Sequence, residues 1–254
     1  MKTDTFGDAG SDGITVVTGT GNTTIVGGGA GDTITVTGLA TDTQTFTGSV
    51  SAFVITAGAG AQTITDGVGA STITGGAGND TITLAAADTA IDIVVFSAIT
   101  DGVDTITNFE GSTGGDIIQI AGALKTSLRS DTAGVNGDAA ANTNTGATYA
   151  IETAAIGVVA AAHNGTLTVA HLTTAGYAAV AVALEVAFVF GDAAGDTANV
   201  EIFAVESDTA GTFGVYAWLQ SSATDITVDG TELTLLGIAT GGLGAFAAGD
   251  IAIA

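Results

Sequence analysis

The sequence has no cysteine and no proline, and among its 254 residues only three are basic and two are histidine. Each scarcity removes a class of protein. Without cysteine there is no disulfide framework and no thiolate metal site, so stability has to come from packing and from ions. Lys2, Lys125 and Arg129 are the only basic side chains against 26 acidic ones, so no patch can neutralise a nucleic acid or an acidic membrane surface. His163 and His171 are eight residues apart and belong to no His-Glu-x-x-His zinc motif. No serine sits in a Gly-x-Ser-x-Gly turn, and the glycine-containing run GDAAGD at 191–196 lacks the lysine of a phosphate loop and carries two carboxylates. These absences lead to the expectation of a protein that is not an enzyme. The longest apolar run, Ala175 to Gly191, is broken by Glu185 and reads as buried helix plus strand, so no membrane span is expected. No Lys/Arg-led apolar segment opens the sequence, so a cleavable secretory signal is not expected either.

What is present is acidity combined with apolarity. Formal net charge is -23, yet 46% of residues are apolar, too many for a solvated acidic tail. The charge therefore decorates a folded body. With so little Lys and Arg to offset it, the expected counter-charge is a divalent cation, Ca2+ first among them. Thirty-nine glycines with abundant Thr, Ala, Val and Ile point to short β-strands joined by glycine turns, with helix a minority.

Residues 57–83 resolve into three nine-residue units, AGAGAQTIT, DGVGASTIT and GGAGNDTIT. Small residues fill the turn half of each, a polar residue takes the sixth position, and Ile64, Ile73 or Ile82 lies between two threonines. Glycine permits the positive φ of a tight turn, and period-two alternation puts the Ile on one side and both Thr on the other. Stacked units would bury a ladder of Ile, two units making one coil of a parallel β-roll. The same register recurs less cleanly at 7–15, 18–26 and 27–35, and is interrupted from Val36 to Thr56.

After Leu84 the nine-residue beat is lost, although DTAIDIVVF and the stretch 101–120 still alternate like strands and read as the closing end of the roll. The sequence divides into a glycine-rich calcium-binding roll at 1–124, a polar linker or excursion loop at 125–147, and a β-rich region at 148–254. In the last, strands are expected at Tyr149–Ile151 and Thr166–Val169, helical spacing at Tyr177, Val180 and Leu184, then a series of strands from VAFVF onward. The expected fold is all-β with minor helix, a parallel β-roll or β-solenoid followed by an antiparallel, sandwich-like region. Phe188, Phe190, Ile202, Phe203, Tyr216 and Trp218 would supply the second core.

The unit GGAGNDTIT, Gly75–Thr83, resembles the glycine-rich nonapeptide of the repeats-in-toxin family exported by type I secretion. The run DTITNFEGSTGGDIIQI at 104–120 is similar to the segment following the roll in secreted metalloproteases and surface-layer proteins of that group. The resemblance spans roughly residues 7–120 and is strongest with the surface-layer members. It implies that calcium is held between turns by the sixth-position Asp and by turn carbonyls. On this sequence that means Asp80 with the carbonyls of Gly76 and Gly78, then Asp32 and Asp12, supplemented by Asp101, Asp104 and Asp116. The sixth position is Gln62, Ser71 and Thr23 in other units, so a full row of ion sites is not expected. The family also implies an uncleaved C-terminal export signal, which the ending GDIAIA resembles.

The function expected from these readings is a calcium-dependent structural protein outside the cell or on a bacterial surface, assembling with copies of itself into a layer, matrix or filament. A monomeric adhesin or carbohydrate-binding module, touching cell-surface polysaccharide, is the alternative, although Tyr216 and Trp218 alternate with apolar neighbours and read as core. An ice-binding solenoid is a further alternative. Counting in the clean repeats disfavours it, because only Thr63/Thr65 and Thr81/Thr83 share a face while Thr72/Thr74 lie opposite.

Overall fold

A computed structural model describes residues 2–5, 13–17, 22–26, 33–37, 44–48, 52–111, 115–127, 156–159, 167–187, 200–219, 228–241 and 250–253. Twelve short strands open the chain: β1 (Lys2–Thr5), β2 (Gly13–Val17), β3 (Thr23–Val26), β4 (Thr33–Thr37), β5 (Gln44–Thr47), β6 (Ala52–Thr56), β7 (Thr63–Thr65), β8 (Thr72–Thr74), β9 (Thr81–Thr83), β10 (Ile93–Phe96), β11 (Asp104–Thr107) and β12 (Ile117–Ile120). Odd-numbered strands pair in parallel in one sheet and even-numbered strands in parallel in a second. This is the parallel β-solenoid expected from the nonapeptides, each coil made of one strand from either sheet.

The register shows what drives the winding. In the first sheet Ile25, Phe46, Ile64, Ile82 and Ile106 are cross-strand partners and form one buried rank. Phe53, Ile55, Ile73, Val94, Phe96, Ile118 and Ile120 answer from the second sheet, all within one core cluster. A three-residue Thr-Ile-Thr strand can bury only its middle side chain, and each such burial stabilises by about 1.5–3 kcal/mol, so the coils hold together collectively. The stretch from Val36 to Thr56, irregular in sequence, is accommodated in the same winding and supplies β5 and β6. Likewise the loss of the nine-residue beat after Leu84 lengthens the turns without breaking the stack. Equivalent residues are 18 apart between Gln62 and Asp80 but 24 apart between Asp80 and Asp104.

The threonines beside the buried rank also fall into ranks of their own. Thr24, Thr45, Thr63, Thr81 and Thr105 are successive partners, as are Thr47, Thr65, Thr83, Thr107 and Thr240. The count from the clean repeats, confined to two coils, was too low because less regular coils keep the same face.

After β12 come α1 (Gly122–Ser127), β13 (Ile156–Val159), α2 (Tyr177–Ala187), β14 (Val200–Glu206), β15 (Thr212–Leu219), β16 (Leu233–Thr240) and β17 (Ile251–Ile253). Strands β14, β15 and β16 are antiparallel, as expected, and they join the roll edge to edge: β16 pairs in parallel with β11, and β17 with β12. One face of this sheet, with Ile202, Val215, Ala217 and Leu236, continues the core of the roll. The other, with Phe203, Tyr216, Trp218 and Leu235, packs under Val180 and Leu184 of α2. Two-sided burial explains why β15, TFGVYAWL, reads as a nearly continuous apolar run.

The spacing of Tyr177, Val180 and Leu184 is realised in α2, where the Tyr177 hydroxyl accepts a hydrogen bond from the Leu235 amide at 2.9 Å. The helix runs on to Ala187, so the first two residues of VAFVF are helical and not strand, while Phe188 and Phe190 lie outside the described residues. The strand expected at Thr166–Val169 is not formed where it is described. Val169–His171 is a 3-10 turn, in which the Thr168 amide donates to His171 Nδ1 at 3.0 Å. Tyr149–Ile151, His163 and the proposed linker from 128 onward lie outside the described residues. No helix among the described residues is long and apolar enough to cross a membrane.

The packing generates a clear expectation. Ile82→Ala, at a fully buried rung, is expected to lower stability by about 2–5 kcal/mol in chemical denaturation, whereas Thr81→Ala beside it should cost less than about 1 kcal/mol.

Candidate metal centre in the turns of the roll

The turn from β8 to β9 is Gly75–Asp80. Gly76 and Gly78 have φ of 88° and 137°, a region that side chains with a Cβ resist. They also lie tight against the preceding coil: a Cβ on Gly76 would stand 2.1 Å from the Gly58 carbonyl oxygen. On the other side, the Gly78 amide donates to the Asp101 carbonyl at 2.7 Å. Turns of successive coils are thus stacked directly on one another, and the Asp80 carboxylate folds back over Gly75, whose missing side chain leaves the space.

At the start of five strands, β8 to β12, a side chain reaches back one coil. Asp80 Oδ1 accepts from the Gln62 amide at 2.7 Å, and Asp104 Oδ1 accepts from the Asp80 amide at 3.0 Å. On the opposite edge Ser71 Oγ accepts from the Phe53 amide at 2.9 Å, Asp92 Oδ1 from the Ser71 amide at 2.8 Å, and Asp116 Oδ1 from the Asp92 amide at 3.0 Å. Each side chain therefore clasps its own counterpart in the coil before. One oxygen does the clasping. The other is left over in Asp80, whose Oδ2 is buried and accepts no hydrogen bond.

Of the residues expected to bind calcium, Asp80, Asp101 and Asp104 come together at the turns leading into β9 and β11, all three buried; the charge of Asp101 acts on both Asp80 and Asp104, and that of Asp80 on Asp104. Asp101 also closes its own turn, Oδ2 accepting from the amides of Ser97 and Ala98 and from the Ser97 hydroxyl. Asp116 does not join this group. It stands on the opposite edge with Asp92 and Glu110, and both of its oxygens are engaged, Oδ2 by the Glu110 amide at 2.9 Å. Asp12 and Asp32 lie outside the described residues. The sequence reading passed over Asp66 and Asp92. A usable signal existed for Asp92, which immediately precedes a strand as Asp80 and Asp116 do.

The donors here suit a hard cation. All are oxygens, carboxylates and turn carbonyls, and Asp80 holds one buried oxygen that no protein donor satisfies. Asp80 would hold the ion, with the carbonyls of Gly76 and Gly78 and the neighbouring Asp101 and Asp104 available around it; bound calcium would supply the positive charge that links stacked turns. Among the described residues no three acidic or histidine side chains form a ready-made cage, so such a site depends on turn carbonyls and water as well.

Charge is the cost of this arrangement without an ion. Burial first, then the charge of Asp101, raises Asp80 from 3.8 to about 6. Burial, reinforced by Asp80 and Asp101, raises Asp104 from 3.8 to about 8.

The chain matches no protein-family model, no curated protein and no solved structure. What the fold defines by itself is a parallel β-solenoid with an antiparallel extension.

The shifts fix a pH dependence. A carboxyl group whose pKa is raised on folding contributes most below its unfolded value near 3.8, and that contribution is lost as pH rises through 6 to 8. In chelator, the melting temperature is therefore expected to fall between pH 5 and pH 8 on the order of several degrees, read by circular dichroism. Asp104→Asn should flatten this slope.

Proposed function

We propose that this chain is a calcium-dependent structural protein of the cell exterior, related to the repeats-in-toxin group, which folds on meeting calcium and then associates with copies of itself in a layer, matrix or filament. The observation that carries the reading is the buried, unsatisfied Asp80 oxygen within stacked glycine turns, in a chain of net charge -23 with three basic residues. Without cations the acidic chain repels itself and its buried carboxylates oppose closure of the coils. A bound ion removes both obstacles. At free calcium about a hundredfold above the dissociation constant, each site would add about 2.7 kcal/mol to folding, enough to couple assembly of the roll to the calcium level outside. Type I export of an unfolded chain fits such a protein, since folding would wait for the exterior.

The reading is non-enzymatic. His171 is tied to the Thr168 amide, and the best sugar-stacking candidates of the adhesin alternative, Tyr216 and Trp218, are core residues with almost no exposed surface. Trp218 Nε1 donates to Glu232 at 2.9 Å.

One observation favours a second reading. The threonine ranks present hydroxyls and methyls at the strand spacing of about 4.8 Å in one direction and about 6.7 Å in the other, a periodic array suited to ordered water. In partition into a growing ice front, retention of the wild type and its loss in Thr63→Tyr/Thr81→Tyr would support this reading; exclusion of the wild type removes it.

For the principal reading, calcium titration of the chelated protein is expected to raise β-sheet circular dichroism and, by light scattering, to produce large particles that chelator disperses. Calcium that folds a monomer without growth leaves a binding module; no response to calcium rejects the proposal.

A further inference from the structure

The edge of the roll opposite Asp80 holds a second arrangement of carboxylates that the nonapeptide pattern does not mark. Ser71, at the end of the turn from β7 to β8, is gripped by two of them. Its amide donates to Asp92 Oδ1 at 2.8 Å and its hydroxyl to Asp66 Oδ1 at 2.7 Å, an oxygen that also accepts from the Gly67 amide at 2.7 Å. The Ser71 hydroxyl also lies 3.1 Å from the Gly69 carbonyl. Asp66 is 7% exposed and Asp92 1% exposed, and the second oxygen of each is buried and accepts no hydrogen bond. Asp88, in the turn from β9 to β10, adds its charge to both and has a buried, unsatisfied Oδ2 of its own.

The two carboxyl groups face each other closely enough to share a proton, and among the described residues no positive side chain acts on either. Two adjoining buried carboxylates without a counter-ion cannot both be ionised cheaply. Either a proton stays between them or a cation does. The orphan oxygens come from successive coils, Asp66 following β7 and Asp92 preceding β10, so an ion there would cross-link two coils at the edge where Asp80 has no reach.

We infer that Asp66 and Asp92 form a second site for a divalent cation of calcium type, joining the coil of β7 and β8 to that of β9 and β10. The inference rests on the calcium reading above but uses different residues, so the two can fail separately. Gly69 and neighbouring turn carbonyls are the further oxygens within the same turn, and calcium accepts such mixed sets.

The test is calorimetric titration of the full chain with calcium chloride at pH 8, comparing wild type, Asp66→Asn/Asp92→Asn and Asp80→Asn/Asp104→Asn. Asn keeps the amide-accepting oxygen at each position. The Asp66/Asp92 double variant is expected to lose one ion per chain, or to bind it at least about tenfold more weakly, while the Asp80/Asp104 variant retains that ion. If the Asp66/Asp92 variant binds as many ions as wild type within about twofold in affinity, the inference is overturned and the Asp80 reading stands. Wild type that binds no calcium up to on the order of ten millimolar overturns both. Thermal unfolding in chelator at pH 8 gives an independent readout. Removing the mutual repulsion should leave the Asp66/Asp92 variant melting at or above wild type, and a lower melting temperature would mean the carboxylates act only as structural clasps.

Discussion

The rest of the structure depends on the clasp between coils, a side-chain oxygen at the start of one strand accepting the backbone amide of the equivalent residue in the coil before. Parallel strands this short cannot define their own register, since a three-residue strand offers few ladder hydrogen bonds. The clasp adds a bond from outside the strand, at the point where the turn ends, and so aligns the next Ile over the previous one. Where the clasping residue is Ser71 the bond is neutral. Where it is Asp80, Asp92, Asp104 or Asp116 the same bond brings a charge into the interior.

Architecture and chemistry are therefore coupled through one residue type. A carboxylate has two oxygens, and clasping consumes one. In Asp116 a second amide takes the other, and that residue is a structural cap. In Asp80 and Asp92 nothing among the described residues takes it, so the winding that buries the isoleucine ladder also leaves unsatisfied carboxylate oxygens along both edges. The strands of the antiparallel extension are buried on both faces, by the core of the roll and by α2, and draw their stability from apolar contact.

The solenoid was legible because its cause is local. Glycine where positive φ is needed, Ile between two Thr, and a nine-residue beat each specify a turn or a strand without reference to distant residues. The place of Asp80 at the end of a glycine turn, just before β9, was legible for the same reason. Harder to read were the coils between Val36 and Thr56 and after Leu84, where turns change length and the beat disappears although the inward rank of Phe46, Phe53, Val94 and Ile106 continues. Periodicity in sequence measures turn length; stacking needs only that a strand arrive in register, and a longer turn can deliver it. Thr166–Val169 misled because alternation alone does not make a strand: a strand also needs a partner, and Thr168 finds the His171 ring.

By itself the sequence determined the class of fold, the identity of the buried Ile rungs and the scarcity of positive charge. Only the tertiary structure decided how the buried acids are grouped. Asp101 and Asp104 fall beside Asp80, Asp116 beside Asp92, and Asp66 against Asp92 of the next coil, although all are scattered through fifty residues of chain. The same stacking lined up threonines from Thr24 to Thr105 in one rank. The physical reason is that a coil's length is set by its turns, which vary here from one coil to the next, so neighbours across the stack are fixed by register and not by spacing in the chain.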